Sequence, residues 1–342
     1  MKVLVTIQHP AHVHFFKNVI AELEDTGHDL TIVARKGEYI EKLLDTYNID
    51  YTILAGQANT LPGLMKIQMK YEYNILKKSK SFKPDVLAAI GEPSIAHVGK
   101  YLGIPSLIFT DTEHAKLQNK ITFPFADTIC TPDAYTQNIS QKQIRYPGYH
   151  ELAYLHPDRF TPDPGVLNNI GISSKERFVI LRTVAWNALH DEGNSGFNSI
   201  IEVIDEIEDQ GVRVLITAED DLPRSLKKYQ ISIDPHRIHD LQYYADLFLG
   251  ESATMATESA VLGTPSIFVS TVTLGYMEEL EHEYGLVSNF SGERRQINAM
   301  NTAISILENY DQELWDEKRQ TMLDDKIDTT DFVVNRITRT LD

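Results

Sequence analysis

The sequence predicts an α/β protein made of two Rossmann-like, doubly wound domains. Three observations lead there. Short apolar runs alternate with amphipathic helical stretches along the whole chain. The alternation stops at a Pro- and Asp-rich stretch, Pro157-Asp158-Arg159-Phe160-Thr161-Pro162-Asp163-Pro164-Gly165, and then begins again. The length of 342 residues suits two buried cores of about 150 residues each.

The first strand is expected at residues 3–7, where VLVTI is continuously apolar. A helix follows at 14–25, with Val19, Ile20 and Leu23 on one face and Gly27 as its stop. Strands at 30–34 and 51–54 bracket a helix at 39–47, and a long amphipathic stretch covers 64–79. Strands at 86–90, 106–109 and 126–130 complete the first half. After the Pro-rich stretch, strands are expected at 178–181, 212–217, 247–249 and 266–269, with helices at 199–209 and 253–262 between them. The domains are placed at residues 1–155 and 156–329. Residues 330–342 form a final helix that crosses back to the first domain in folds of this kind. In such sheets ligands bind at the carboxyl ends of the strands, so a central cleft between the two domains is the expected site.

Composition narrows the function. The net charge is −17, with 17 Lys+Arg against 17 Asp+Glu in residues 1–160 and 15 against 32 in the remainder. A neutral half joined to an acidic half is a poor nucleic-acid binder, because phosphate contacts need a basic surface. The single cysteine, Cys130, excludes an internal disulfide, and no apolar run approaches the roughly 18 residues of a membrane span. The opening apolar run is too short for a signal-peptide core, so a cytoplasmic setting is expected.

The most informative segment is Leu249-Gly250-Glu251-Ser252-Ala253-Thr254-Met255-Ala256-Thr257-Glu258, closed by Leu262-Gly263-Thr264-Pro265. A strand ends, small residues follow, and a helix starts near Ala253 or Thr254. Small residues let a ligand approach the backbone. The first amides of the helix are unpaired and partly positive, so they can hold a diphosphate. Ser252 and Thr254 add hydroxyl donors, and Glu258, one turn in, can accept from two ribose hydroxyls. The plainer reading is a Ser-capped helix with Glu258 in solvent.

These residues carry a resemblance. The segment is similar to that of the glycosyltransferase B (GT-B) fold, in particular the N-acetylglucosaminyltransferase of the lipid-linked peptidoglycan precursor and the non-hydrolysing nucleotide-sugar 2-epimerases. The chain resembles still more closely a prokaryotic domain-of-unknown-function family with that fold. The resemblance implies diphosphate and ribose binding by Ser252, Ala253, Thr254 and Glu258. The epimerases have two glycines where this chain has Ala253 and Thr254.

The loop after the first strand reads Gln8-His9-Pro10-Ala11-His12-Val13-His14, three histidines in six residues. Such rings can pack, hold a metal or move a proton. No carboxylate or cysteine ligand stands at a recognisable metal spacing, whereas an imidazole with its ordinary pKa near 6.5 can deprotonate a sugar hydroxyl. The resemblance favours the third role for His12, since His12-Val13, Leu23 and Gly27-His28 match the transferase spacing. It continues through Pro84-Asp85-Val86, Gly91, Gly103-Ile104-Pro105 and Asn119-Lys120. It also places Asp111 on the acceptor side, as an orienting group for His12, a second base or a helix cap. A glycine loop of the transferase is replaced by Arg182-Thr183-Val184-Ala185-Trp186-Asn187, where Arg182 can reach phosphates and Trp186 can stack on a base or sugar. An arginine near the interdomain linker is also absent from Tyr146-Pro147-Gly148-Tyr149-His150-Glu151.

Lys66, Lys70, Lys77, Lys78, Lys80 and Lys83 are interleaved with apolar residues between Met65 and Lys83. A basic amphipathic helix can rest on an anionic membrane surface; the simpler reading is a packed helix with a solvated lysine face. The expectation is thus a metal- and cofactor-independent glycosyltransferase, with a nucleotide-diphosphate sugar as donor and an unspecified hydroxyl acceptor, a lipid-linked one being a candidate. Peripheral contact with the inner membrane surface is a further candidate. A nucleotide-sugar 2-epimerase or hydrolase, or a binding subunit without turnover, are the alternatives.

Overall fold

The computed structural model describes residues 1–56, 61–173, 175–183, 196–218 and 222–341. The chain forms two compact units, one of Met1–Arg159 with Lys326–Asp342 and one of Phe160–Asp325. The boundary thus falls four residues after the expected 155/156 junction, and the returning segment starts at Lys326 rather than at 330.

The first unit runs β1 (Lys2–Ile7), α1 (Pro10–Asp25), β2 (Asp29–Arg35), α2 (Glu38–Thr46), β3 (Tyr51–Ala55), α3 (Leu61–Phe82), β4 (Val86–Ile90), α4 (Pro93–Leu102), β5 (Ser106–Phe109), α5 (Lys116–Thr122), β6 (Thr128–Pro132), β7 (Gln143–Tyr146) and α6 (Leu152–Leu155). Its seven strands are all parallel, in the order β3-β2-β1-β4-β5-β6-β7. Central strands such as β1 are covered on both faces, which is why they read as unbroken apolar runs. Leu4, Val33, Leu87, Ala89, Ile108 and Ile129 meet Tyr71, Ile75, Ile95 and Val98 of α3 and α4 in one core.

Helix α1 begins at Pro10, four residues before the expected start. His9 is its N-cap, accepting the Ala11 N–H at Nδ1 over 3.2 Å, and Pro10 fits the first turn because its missing N–H would have had no partner there.

The second unit contains α7 (Gly165–Asn169), β8 (Phe178–Thr183), α8 (Ile200–Glu208), β9 (Arg213–Ala218), α9 (Ile238–Tyr243), β10 (Leu247–Gly250), α10 (Ala253–Leu262), β11 (Ser266–Val269), α11 (Gly275–His282), β12 (Val287–Phe290), α12 (Arg295–Glu308) and α13 (Gln312–Asp325). Its parallel sheet has the order β12-β11-β10-β8-β9. The core joins Val179, Leu181, Val214, Ile216, Leu247 and Leu249 to Val203, Ile207, Ala299 and Ala303 of α8 and α12. Gly263 ends α10 with φ +90°, a left-handed turn suited to glycine.

The last helix, α14 (Thr329–Thr338), belongs to the first unit and packs against α1 and α6. Phe332 stacks on Tyr146 with ring centroids 4.5 Å apart. Arg159 holds Asp328 and Asp331 at 2.6 Å each and also pairs with Glu22 of α1.

Candidate functional site

In a doubly wound sheet the loops on either side of the strand-order reversal diverge and leave a crevice. In the first unit that reversal lies between β1 and β4, and the loops leaving them carry the His9–His12 segment and Glu92. In the second unit it lies between β8 and β10, whose exits carry Arg182 and the Glu251–Thr254 segment. The two sequence motifs therefore lie at the strand-order reversals of their own sheets.

In the first unit, His12 sits in the first turn of α1. An edge of the residue stays partly exposed, but its Nδ1 is sealed and has no hydrogen-bond partner. Burial, then the neighbouring His9 and His150, push its pKa down to about 3. The expectation of an ordinary imidazole near 6.5 is thereby corrected: His12 is neutral across the physiological range and is a weak base.

Asp111, on the loop after β5, stands where the strand end was expected to present it. The carboxylate that was a candidate to orient His12 instead meets His150, with its Oδ2 3.2 Å from His150 Nδ1. Its Oδ1 accepts the Thr112 hydroxyl at 2.7 Å. His150 is 8% exposed, lies against the Phe15 ring at 4.7 Å between centroids, and keeps Nε2 buried without a partner. Burial pulls its pKa down while Asp111 pulls it up. An arginine is absent from this stretch, and no motif marks its histidine. The available signal was a polar ring inside Tyr149-His150-Glu151-Leu152-Ala153, whose other members are also buried.

Glu92 was also missed. It caps α4 by accepting the Ser94 N–H at 2.8 Å, and its other oxygen lies 3.9 Å from Arg35. Burial raises its pKa, against the opposing pull of the Ser94 amide and Arg35.

In the second unit the helix start is as the motif implies. Ser252 is the N-cap of α10, with its Oγ accepting the Met255 N–H at 3.4 Å. Ser252, Ala253 and Thr254 are partly exposed, and the first amides of a helix have no intrahelical acceptor. Gly250 is required where β10 runs beside β8 in register with Arg182, because a Cβ there would stand 2.8 Å from Arg182 Cβ and 2.9 Å from its carbonyl oxygen. Arg182 occupies the penultimate position of β8 and is partly exposed. Trp186 and Asn187 lie outside the described residues.

Glu258 is not solvated. It is 4% exposed, and its Oε1 lies 3.0 Å from Nε2 of His239 on α9. His239 had no sequence signal, since the pair forms only when α9 packs on α10. Among the described residues, no group of three or more His, Cys, Asp or Glu side chains is arranged to hold a metal ion.

Two parallel α/β units of this order constitute the GT-B fold, and solved structures agree. The UDP-GlcNAc 2-epimerase of Neisseria meningitidis, solved with UDP-GlcNAc, superimposes with a TM-score of 0.70 at 16% identity, covering 99% of this chain and 100% of that one. The Streptomyces sp. SF2575 glycosyltransferase SsfS6 gives 0.63 at 13% identity, covering 99% and 100%. By sequence, the uncharacterized protein MJ0665 of Methanocaldococcus jannaschii is 24% identical over 278 residues, 78% of this chain and 81% of that protein. One family, described as protein of unknown function (DUF354), matches residues 1–342.

Proposed function

The chain belongs to the DUF354 family over its whole length, and from that premise we propose that it is a glycosyltransferase that moves a sugar from a nucleotide-diphosphate sugar to a hydroxyl acceptor. The observation that carries this reading is the open start of α10 at the strand-order reversal of its sheet. The amides of Ala253 and Thr254 and the hydroxyls of Ser252 and Thr254 hold the diphosphate, and Arg182 adds a charge. Glu258, oriented by His239, takes the ribose. His12 and Asp111 serve the acceptor side. The similarity to proteins solved with UDP or UDP-GlcNAc supports a uridine nucleotide as the first donor to test.

A second reading, 2-epimerisation or hydrolysis of the nucleotide-sugar itself, gains support from Glu92. A buried carboxyl with a raised pKa on the loop after β4, and imidazoles after β1 and β7, put acid and base groups at one edge of the sheet. Incubation with UDP-, GDP- and TDP-sugars, with and without hydroxyl acceptors, separates the readings. Transfer requires the acceptor, whereas epimerisation and hydrolysis proceed without it. A nucleoside diphosphate at a hundredfold excess over its Kd stabilises the protein by about 2.7 kcal/mol. No stabilisation by any of the three diphosphates would remove the nucleotide site and leave the binding-subunit alternative without its ligand.

For the acceptor, the α3–α4 face supports an acceptor embedded in, or attached to, a membrane. Met69 and Tyr73 on α3 and Tyr101 on α4 are 66%, 65% and 72% exposed. The exposed lysines Lys66, Lys70, Lys77 and Lys80 share α3 with the first two. Among the described residues no helix is long and apolar enough to cross a membrane; the contact proposed is a peripheral one, at the inner membrane surface.

A further inference from the structure

We propose that His150, held by Asp111, is the group that takes the proton of the acceptor hydroxyl. This rests on the transferase reading above and assigns its proton-accepting step.

A buried histidine with a purely structural role ordinarily engages both ring nitrogens. His150 engages one. Its Nδ1 is 3.2 Å from Asp111, while Nε2 is buried with no partner, and the same holds for Nδ1 of His12. Two unpartnered imidazole nitrogens thus stand on one sheet edge, and the His150 ring is near enough to His12 to oppose its protonation. Asp111 is itself fixed by the Thr112 hydroxyl. A carboxylate at Nδ1 selects the tautomer with the proton on Nδ1 and the lone pair on Nε2, and it stabilises the imidazolium formed when Nε2 takes a proton. His12 has no such support, since each influence on it opposes protonation. A base works best when its pKa lies near the working pH; burial holds both rings below the ordinary imidazole value, and of the two only His150 has a counter-charge that opposes the shift.

The charged group acting on His150 is Asp111 from the loop after β5; Phe15 of α1 supplies an apolar wall. Tyr146 of β7 stays protonated, because burial, Asp111 and Glu151 all raise its pKa. In the step itself, the acceptor O–H breaks and its proton passes to His150 Nε2. The acceptor oxygen bonds to the anomeric carbon while the bond from that carbon to the diphosphate oxygen breaks. The nucleoside diphosphate leaves with the electron pair, and the imidazolium then returns its proton to solvent.

The test combines imidazole 15N NMR on the full chain with kinetics on the donor and acceptor found in the screen. His150 is expected as the Nδ1–H tautomer, and Asp111→Asn should lower its pKa. His150→Gln should reduce kcat by about a hundredfold or more while donor KM stays within about twofold. The acid limb of kcat/KM should move to lower pH in Asp111→Asn, a change that lost packing alone would not produce. An Nε2–H tautomer overturns the proposal whatever the activity, and it can be read on the parent protein if His150→Gln does not fold. Transfer that survives His150→Gln, or an acid limb unmoved by Asp111→Asn, removes this assignment alone. Absence of transfer with every donor removes the transferase reading together with it.

Discussion

Glu258 shows how much a single residue's role depends on what packs over it. In sequence it is a carboxylate one turn into a helix, free to reach a ribose; in the fold it is nearly sealed and meets His239 at 3.0 Å. Glu258→Ala should therefore cost stability as well as nucleotide affinity. The loss expected from removing one partner of a buried polar contact is about 1–3 kcal/mol, measurable by urea unfolding without ligand. An unfolding midpoint equal to the parent's would contradict the buried pair. His12 yields a prediction of opposite chemistry. Unfolded, its imidazole binds a proton near 6.5; folded, that pKa falls to about 3. Below 6.5 the unfolded chain binds a proton that the folded chain refuses, so this group's contribution falls as pH drops from 6.5 towards 3. The slope is at most about 1.4 kcal/mol per pH unit. His12→Gln should lose less stability than the parent between about pH 7 and pH 5; equal losses would show that the ring is not sealed. The helix start beside Ser252 was legible because it follows local capping rules, whereas the start of α1 beside His12 lies four residues earlier than expected, at Pro10. His150 and His239 were not legible, since their partners Asp111 and Glu258 come from distant elements and no spacing encodes the contact.

Elements were legible in proportion to their burial. The interior strands β1, β4, β5 and β11 are continuous apolar runs because both faces are covered, and they stand where expected. The strands missed, β7 and β12, are the edges of their sheets, and their polar sequences QIRY and VSNF do not resemble core strands. Helix α3 illustrates the ambiguity of a two-sided element: Tyr71 and Ile75 are buried in the core while Met69 and Tyr73 face outward among lysines. Lys80 also lies over the exposed Tyr101 ring, 5.7 Å from its centroid. If that face rests on a bilayer, the protein should sediment with anionic vesicles and much less with neutral ones. Lys66→Glu with Lys70→Glu should weaken the association, each lost lysine contributing about 1 kcal/mol near the surface. Indifference to lipid charge, or to the two substitutions, would leave α3 as a solvated helix. Helix α14 gives a stability prediction instead. Arg159 joins it to α1 through Asp328, Asp331 and Glu22 in a partly buried network. Arg159→Ala should cost about 1–3 kcal/mol, the range for charge-assisted hydrogen bonds, and should speed amide exchange in α14 before other helices. Unchanged exchange there would show that the Phe332–Tyr146 stack alone suffices.

At the scale of the whole molecule, the chain is organised as one unit inserted into another. Residues 160–325 form a contiguous unit with its own sheet and core, whereas the first unit is assembled from residues 1–159 and 326–342. Charge follows the same division, since the neutral first half contrasts with an acidic remainder. The repeated alternation and the Pro-rich stretch made two units legible. The return point at Lys326 was not, because helices α13 and α14 differ little in pattern and are separated only by a short turn. The consequence is an asymmetry between fragments. A 160–325 fragment retains every strand of its sheet and should unfold cooperatively on its own. A 1–159 fragment retains its sheet too, but loses what the returning segment supplies. Thr329 and Thr330 hydroxyls bond the Tyr149 and Ala153 carbonyls at 2.7 Å each, Ile327 N–H bonds the Pro147 carbonyl at 2.8 Å, and Phe332 covers Tyr146. All four contacts lie on the stretch that carries His150. The 1–159 fragment should therefore show weakened tertiary structure around α6, and adding a 326–342 peptide should restore protection there. Measuring amide exchange of the three preparations decides the matter. If 1–159 alone protects Leu152–Leu155 as well as the full chain does, α14 does not hold the His150 segment in place, and the cost predicted for Arg159→Ala would have to arise elsewhere.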